Sequence, residues 1–210
     1  MFSFENTVAE IKEFLKDFFK NDFSGHDYLH TKRVFDLSLM LQKKEGGDVE
    51  IIALAALLHD VDDKKISTET YKEKNHAVAI LEKVGIEREK NDKIISIISS
   101  VSFSDNKIPD SIEAKIVQDA DRLDAIGAIG IARCFAYGGN KNLPIYSDSD
   151  IDNISSCNSD SSLAHFYKKL LLIESKMNLE SSKKIARKRA EFLNLYLENL
   201  INDIKMSETE

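Results

Sequence analysis

Residues 51–65 read I-I-A-L-A-A-L-L-H-D-V-D-D-K-K, and the way this stretch folds decides the architecture. It begins as an apolar helix and ends in a cluster of ionisable groups, with no turn residue between them. Ile51, Ala55, Leu58 and His59 share one face at helical spacing, so His59 continues the stripe aimed at the core. Asp60 adjoins it, and Asp63 follows one turn after His59. A carboxylate and an imidazole at the end of a buried helix need a partner, because an unpaired buried carboxylate is costly. A divalent cation is one such partner. The other reading makes His59 the cap of its own helix and Asp60 the start of a loop. This stretch alone leaves both open.

The rest of the chain bounds the answer. Its 210 residues suit one domain with room for a sizeable core. Only 2 prolines and 8 glycines interrupt it, which favours long helices over many short strands. No run approaches the ~20 apolar residues of a membrane span. The N-terminus lacks the basic and apolar regions of a signal peptide. The two cysteines, Cys134 and Cys157, have neither a disulfide framework nor zinc-ligand spacing. These features lead us to expect a reducing, cytoplasmic setting without membrane association. A net charge of -7 argues against a partner that is a nucleic-acid polymer. It does not exclude a small anionic substrate held in a local pocket.

Working outward, residues 7–20 form an amphipathic pattern through Val8, Ile11, Leu15 and Phe18 or Phe19. Ser24 with Asp27 resembles a capping box for the next helix. That helix carries His30, Val34, Leu37 and Leu41 on one face, with Arg33 close to His30. Asp48 suits the cap of the helix leading to His59. Helices are expected over His76–Val84, stopped by Gly85, and over Glu87–Val101. Pro109 opens a long helix running to Phe135, with Val117, Ala120, Asp121 and Asp124 on one face. Its small residues Ala125, Gly127, Ala128, Gly130 and Ala132 would let another helix approach. Residues 138–161 read as a Ser/Asp/Asn-rich loop or lid. Two further stripes follow, Leu163–Met177 and Ile185–Leu200, which we expect to pair. Lys183, Lys184, Arg187 and Lys188 read as a solvated face.

Each inward ionisable group has an ordinary core reading by itself. Three helices, however, each place ligand-type side chains on a buried face: His30, then His59 with Asp60, then Asp121. Two imidazoles and two carboxylates suit one divalent cation of the Mn, Fe, Co or Ni type, with Mg also compatible, and leave positions for water or substrate.

The H…HD…D order resembles the HD-domain superfamily of metal-dependent phosphohydrolases, and within it a bacterial subgroup of stand-alone HD proteins. The resemblance rests on G-H-D-Y-L-H-T-K-R-V (25–34), L-A-A-L-L-H-D-V-D-D-K-K (54–65) and I-V-Q-D-A-D-R-L-D-A-I-G-A-I-G-I-A-R (116–133). It extends to F-A-Y-G-G-N-K (135–141) and H-F-Y-K-K-L-L-L (165–172). It implies an all-α helical bundle: an HD core over 1–137, a loop or lid over 138–161, and a C-terminal helical pair over 162–205 packing on the core. By position it implies His30, His59, Asp60 and Asp121 as metal ligands, with Asp63 orienting the attacking water as general acid or base. Arg33, Lys65, His26 and Arg122 are implied as substrate-binding residues. Tyr137 and His165 are expected to pack in the core or lid.

The chain departs from the family where Lys64 and Ile66 flank Lys65 in place of an aromatic pair. Binuclear relatives add histidines between the HD pair and the last Asp, where this chain has only His76, so a mononuclear site is expected. The implied substrate is a small nucleotide, with pyrophosphate release from a (deoxy)nucleoside triphosphate as the leading reaction. Alternatives are a 5'-nucleotidase, a phosphodiesterase, a non-catalytic nucleotide-binding module or an HD-type oxygenase. The C-terminal pair could support a homodimer.

Overall fold

The computed structural model describes residues 3–21, 25, 27–62, 75–101, 108–152 and 159–207. Among them every regular element is helical, as expected of an all-α protein. No helix among them is long and apolar enough to cross a membrane. The chain forms two compact units, Met1–Asp22 with His26–Asp121, and Phe23–Gly25 with Arg122–Glu210.

In the first unit, α1 (Phe4–Phe18) starts at the Ser3 cap and buries Val8, Ile11 and Leu15. Helix α2 spans Tyr28–Glu45 and α3 spans Val49–Leu58. The expected Asp48 cap is present: one carboxylate oxygen accepts the Glu50 and Ile51 N–H groups at 2.9 and 3.1 Å. From Ile51 to Leu58 every residue of α3 is buried, as befits a helix apolar all round. Helices α1, α2 and, further on, α5 pack around it. Burying Leu54, Leu57 and Leu58 contributes about 1.5–3 kcal/mol each relative to exposure, which keeps α3 at the centre.

Helices α4 (Asn75–Lys83) and α5 (Arg88–Val101) follow, separated by Gly85 with φ 75°. Helix α6 (Ile112–Asp124) begins three residues after Pro109, on the Ser111 hydroxyl, which accepts the Ala114 N–H at 3.1 Å. Pro109 therefore precedes this helix without opening it.

The second unit corrects three expectations. The helix drawn from Pro109 to Phe135 is broken, and α7 (Gly127–Asn140) is a separate element. The Ala125 and Ile126 N–H groups turn back to the Arg122 and Leu123 carbonyls, each at 3.2 Å. Gly127 then takes φ 78°, which L side chains rarely adopt. Of the small residues expected to admit a neighbour, Gly127 lies against the Arg189 side chain, and a further close approach falls at Gly138, where a Cβ would collide with the Ser162 hydroxyl.

Second, the stretch expected as a loop contains the end of α7 and a short α8 (Asp148–Asp152). Asp150 is fully buried and accepts from the Ser147 N–H (2.8 Å), the Ser159 hydroxyl (2.5 Å) and the Ser161 hydroxyl (2.6 Å). Cys157, inside this stretch, lies outside the described residues.

Third, the Leu163–Met177 stripe is α9 (Ser162–Lys168) followed by two 3-10 turns, Leu170–Leu172 and Glu174–Lys176. Helix α10 (Glu180–Ser207) packs on α7 and on the second of these turns. It buries Ala186, Ala190, Leu193 and Leu197, one position round from the expected stripe, and leaves Phe192 at 46% exposure. Its apolar face is broad, so the neighbours select the buried line. Tyr196 sits at that line's edge, its ring centroid 6.2 Å from Phe135 and 6.1 Å from Phe166.

Candidate metal centre

The site starts from two helix ends. Asp27 is the N-cap of α2 and accepts the His30 N–H at 2.8 Å. The capping box drawn from Ser24 is thus replaced by Asp27 itself, and Ser24 lies outside the described residues. A cap fixes where a helix begins, and so fixes the direction in which a side chain of its first turn points. His30, in that turn, is fully buried.

His59 is the residue at the C-terminal end of α3, still in right-handed helical backbone. Its Nδ1 lies 2.8 Å from the Ala56 carbonyl oxygen. A carbonyl only accepts, so Nδ1 carries the proton and a neutral His59 turns the lone pair of Nε2 outward. That lone pair faces His30 Nε2 at 3.2 Å. One ring nitrogen serves the helix end and the other faces the cluster, so the two readings left open by the sequence are compatible in one residue.

Two carboxylates complete the arrangement. Asp60 places Oδ2 3.1 Å from His30 Nε2 and Oδ1 3.5 Å from His59 Nε2. Asp121, from α6, places Oδ1 3.5 Å from His30 Nε2 and 3.9 Å from His59 Nε2. Ligand atoms of His30, His59 and Asp121 all lie within 4.8 Å of one another. The two imidazole side chains are 1% exposed, Asp60 is 12% exposed and Asp121 is 27% exposed. The cluster is therefore closed on its histidine side and open beside Asp121. Two nitrogens and two carboxylates converging at such distances fit a borderline or hard divalent cation, and the open side leaves room for water or substrate.

Of the four residues expected to bind substrate, Arg33 and Arg122 are among the described residues. Arg33 is half-buried on α2, one turn beyond His30. Arg122 is 5% exposed, and its guanidinium donates to the Lys176 carbonyl. His26, Asp63 and Lys65 lie outside the described residues, as do Lys64 and Ile66. Asp124, one turn after Asp121, accepts from Arg133 Nη1 at 3.1 Å, while Arg133 Nε donates to the Gly25 carbonyl at 2.7 Å. His165 is exposed rather than packed, because α9 buries Leu163, Ala164 and Phe166 instead.

Sequence reasoning passed over Asp62, which is fully buried and accepts backbone N–H groups from α4. No sequence signal marks it, since the α4 groups that meet it come from residues 14 and 15 positions away.

Residues 27–126 match the model of the HD domain. Along nearly the whole chain, 97% of it and 96% of the relative, the sequence is 36% identical to the uncharacterized protein YpgQ of Bacillus subtilis. The chain belongs to the HD-domain family. Solved structures of the family superpose closely on this HD-domain protein. Bacillus subtilis YpgQ in complex with ADP matches with a TM-score of 0.76 and 37% identity, covering 94% of this chain and 97% of that one. An HD-superfamily hydrolase from Bacillus thuringiensis matches with a TM-score of 0.77 and 35% identity, covering 97% and 99%. The histidine–aspartate cluster thus lies within the matched HD domain.

Proposed function

We propose that this HD-domain protein is a metal-dependent phosphohydrolase acting on a nucleotide, with pyrophosphate release from a (deoxy)nucleoside triphosphate as its reaction. The observation that carries this reading is the convergence of His30, His59, Asp60 and Asp121 in one cluster, buried at its histidines and partly exposed at Asp121. The ADP held by Bacillus subtilis YpgQ supports a nucleotide as the ligand class.

His30, His59, Asp60 and Asp121 would hold a single divalent cation (Mn, Co, Ni, Fe or Mg). A cation held there supplies Lewis-acid polarisation of a phosphoryl oxygen and lowers the pKa of bound water. The Ala56 carbonyl keeps the His59 proton on Nδ1, which presents Nε2 as a ligand. In this reading Asp63 accepts the proton of the attacking water at its carboxylate. Arg33, Lys65 and His26 bind the phosphates and offset developing charge. Arg122 has the smallest share, because the Lys176 carbonyl already engages its guanidinium. The reading places the protein in the cytoplasm with a small phosphorylated substrate.

The test is a nucleotide panel assayed with Mn²⁺, Co²⁺, Ni²⁺ and Mg²⁺, detecting phosphate and pyrophosphate separately, beside Asp121→Ala. We expect pyrophosphate from triphosphates and a loss of at least ~10²-fold in the variant. Phosphate released from monophosphates would move the assignment to a nucleotidase. Nucleotide binding without turnover under any metal would make the protein a binding module.

A further inference from the structure

We propose that Asp62 is a positioning residue for the metal ligands: by clamping the N-terminus of α4, it fixes the turn that presents His59 and Asp60. The inference rests on the cation reading of the His30–His59–Asp60–Asp121 cluster and assigns a role to a residue outside it.

Helix α3 ends at Leu58, and residues 59–62 are a turn. Within this turn the Val61 N–H donates to the Leu58 carbonyl at 3.4 Å, which is long. Side chains anchor this turn on both sides. On the upstream side, His59 Nδ1–H ties the turn to Ala56. On the downstream side, Asp62 Oδ2 accepts the Ala77 N–H at 2.9 Å, and Oδ1 accepts the His76 N–H at 3.3 Å. His76 Nδ1 lies 3.1 Å from the same Oδ1. Both carboxylate oxygens are thus engaged by α4.

The energetics favour a firm clamp. The first N–H groups of a helix have no intrahelical acceptor, and a carboxylate there also meets the positive end of the helix dipole. The Asp62 side chain is fully buried, which strengthens both terms and makes any misalignment costly. Helix α4 in turn is fixed by burial of Ala77, Ile80 and Leu81, and the His76 ring packs edge-on to Phe18 of α1, with centroids 5.5 Å apart. Asp60, two residues before Asp62, is therefore held between two anchors. Its Oδ2 must meet His30 Nε2 across from α2, so a slack turn would let this carboxylate drift out of range.

The alternative is that Asp62 only caps α4. An Asn at 62 separates the two roles: it keeps one acceptor oxygen but turns an NH₂ toward groups that are themselves donors. The experiment titrates Co²⁺ into the wild-type protein, Asp62→Asn, Asp121→Ala and Leu81→Val. Visible Co²⁺ absorption reports ligand geometry and calorimetry reports affinity. Leu81→Val loosens α4 in its buried face without touching the clamp.

We expect Asp62→Asn to weaken Co²⁺ binding by roughly 10–100-fold, the usual cost of losing a group that orients a ligand. Its spectrum should shift as well, whereas Leu81→Val should lower the melting temperature and keep the wild-type affinity and spectrum. Wild-type affinity in Asp62→Asn, or an equal affinity loss in both variants, would overturn the positioning role alone. No Co²⁺ binding by the wild-type protein, or unchanged binding by Asp121→Ala, would overturn the metal reading and this inference with it.

Discussion

Asp150 and Asp60 are both buried carboxylates, one in each compact unit, and they face opposite chemistry. Asp150 meets donors: a backbone N–H and two serine hydroxyls reach its two oxygens at 2.5–2.8 Å. Asp60 meets imidazole nitrogens that a second carboxylate, Asp121, also approaches, and at least one of those nitrogens, His59 Nε2, presents a lone pair when the ring is neutral. The first arrangement is complete without any added group. The second gathers lone pairs and negative charge in a largely buried place, an arrangement that a cation stabilises. Burial of a carboxylate is therefore not the signature of a site. What faces it is.

The sharpest way to break this comparison is to remove one ligand. His59→Ala should lower Mn²⁺ or Co²⁺ affinity by at least ~10²-fold, measured by calorimetry. Thermal melts give the companion readout. At a metal concentration of about 100 Kd, binding stabilises by about 2.7 kcal/mol, or roughly 5–10 °C for a chain of this size. The wild-type protein should show that rise and His59→Ala should not.

Asp150→Ala is the converse. It strands three donors in a buried place, which costs about 1–3 kcal/mol, visible as a lower denaturant midpoint. Its metal affinity should equal that of the wild type, and a matching loss there would erase the distinction between the two carboxylates.

Cys134 gives the smallest effect. Burial pushes its thiol up to about 11, while Lys169 pulls weakly the other way, and Sγ donates to the Ser162 carbonyl. In a Cys157→Ser background, a thiol reagent at pH 8 should leave the native protein unlabelled and label it fully after denaturation. The sign of the linkage follows. Above pH ~9 the unfolded thiol loses its proton while the folded one keeps it, so stability falls as pH rises from there toward about 11.

Much of this was readable in the linear chain, for reasons that are local. The Asp48 cap and the apolar run that follows it act within one helix, so α3 and the inward direction of His59 could be inferred from spacing. Asp121 was legible because a carboxylate on an apolar stripe has few bland explanations. The break at Ala125–Gly127 was missed because the small residues there also suit a continuous helix. Gly127 is decided by a φ of 78° against Arg189 of α10, which no local pattern announces. The buried line of α10 was misplaced by one position for a similar reason: two adjacent apolar stripes were available, and the packed neighbours selected between them.

What the sequence determined by itself is the set of groups and the helices that carry them: an all-α chain with two imidazoles and two carboxylates on inward faces. Periodicity and capping are interactions among residues a few positions apart, so they are written in the order of the chain. Only the tertiary structure decided that His30 and His59, 29 residues apart, bring Nε2 to Nε2 at 3.2 Å. It also decided that Asp62 reaches the first N–H groups of α4 and that Asp150 closes on three donors. Those contacts depend on main-chain groups and directions set by packing, which side-chain identity along the chain does not encode locally.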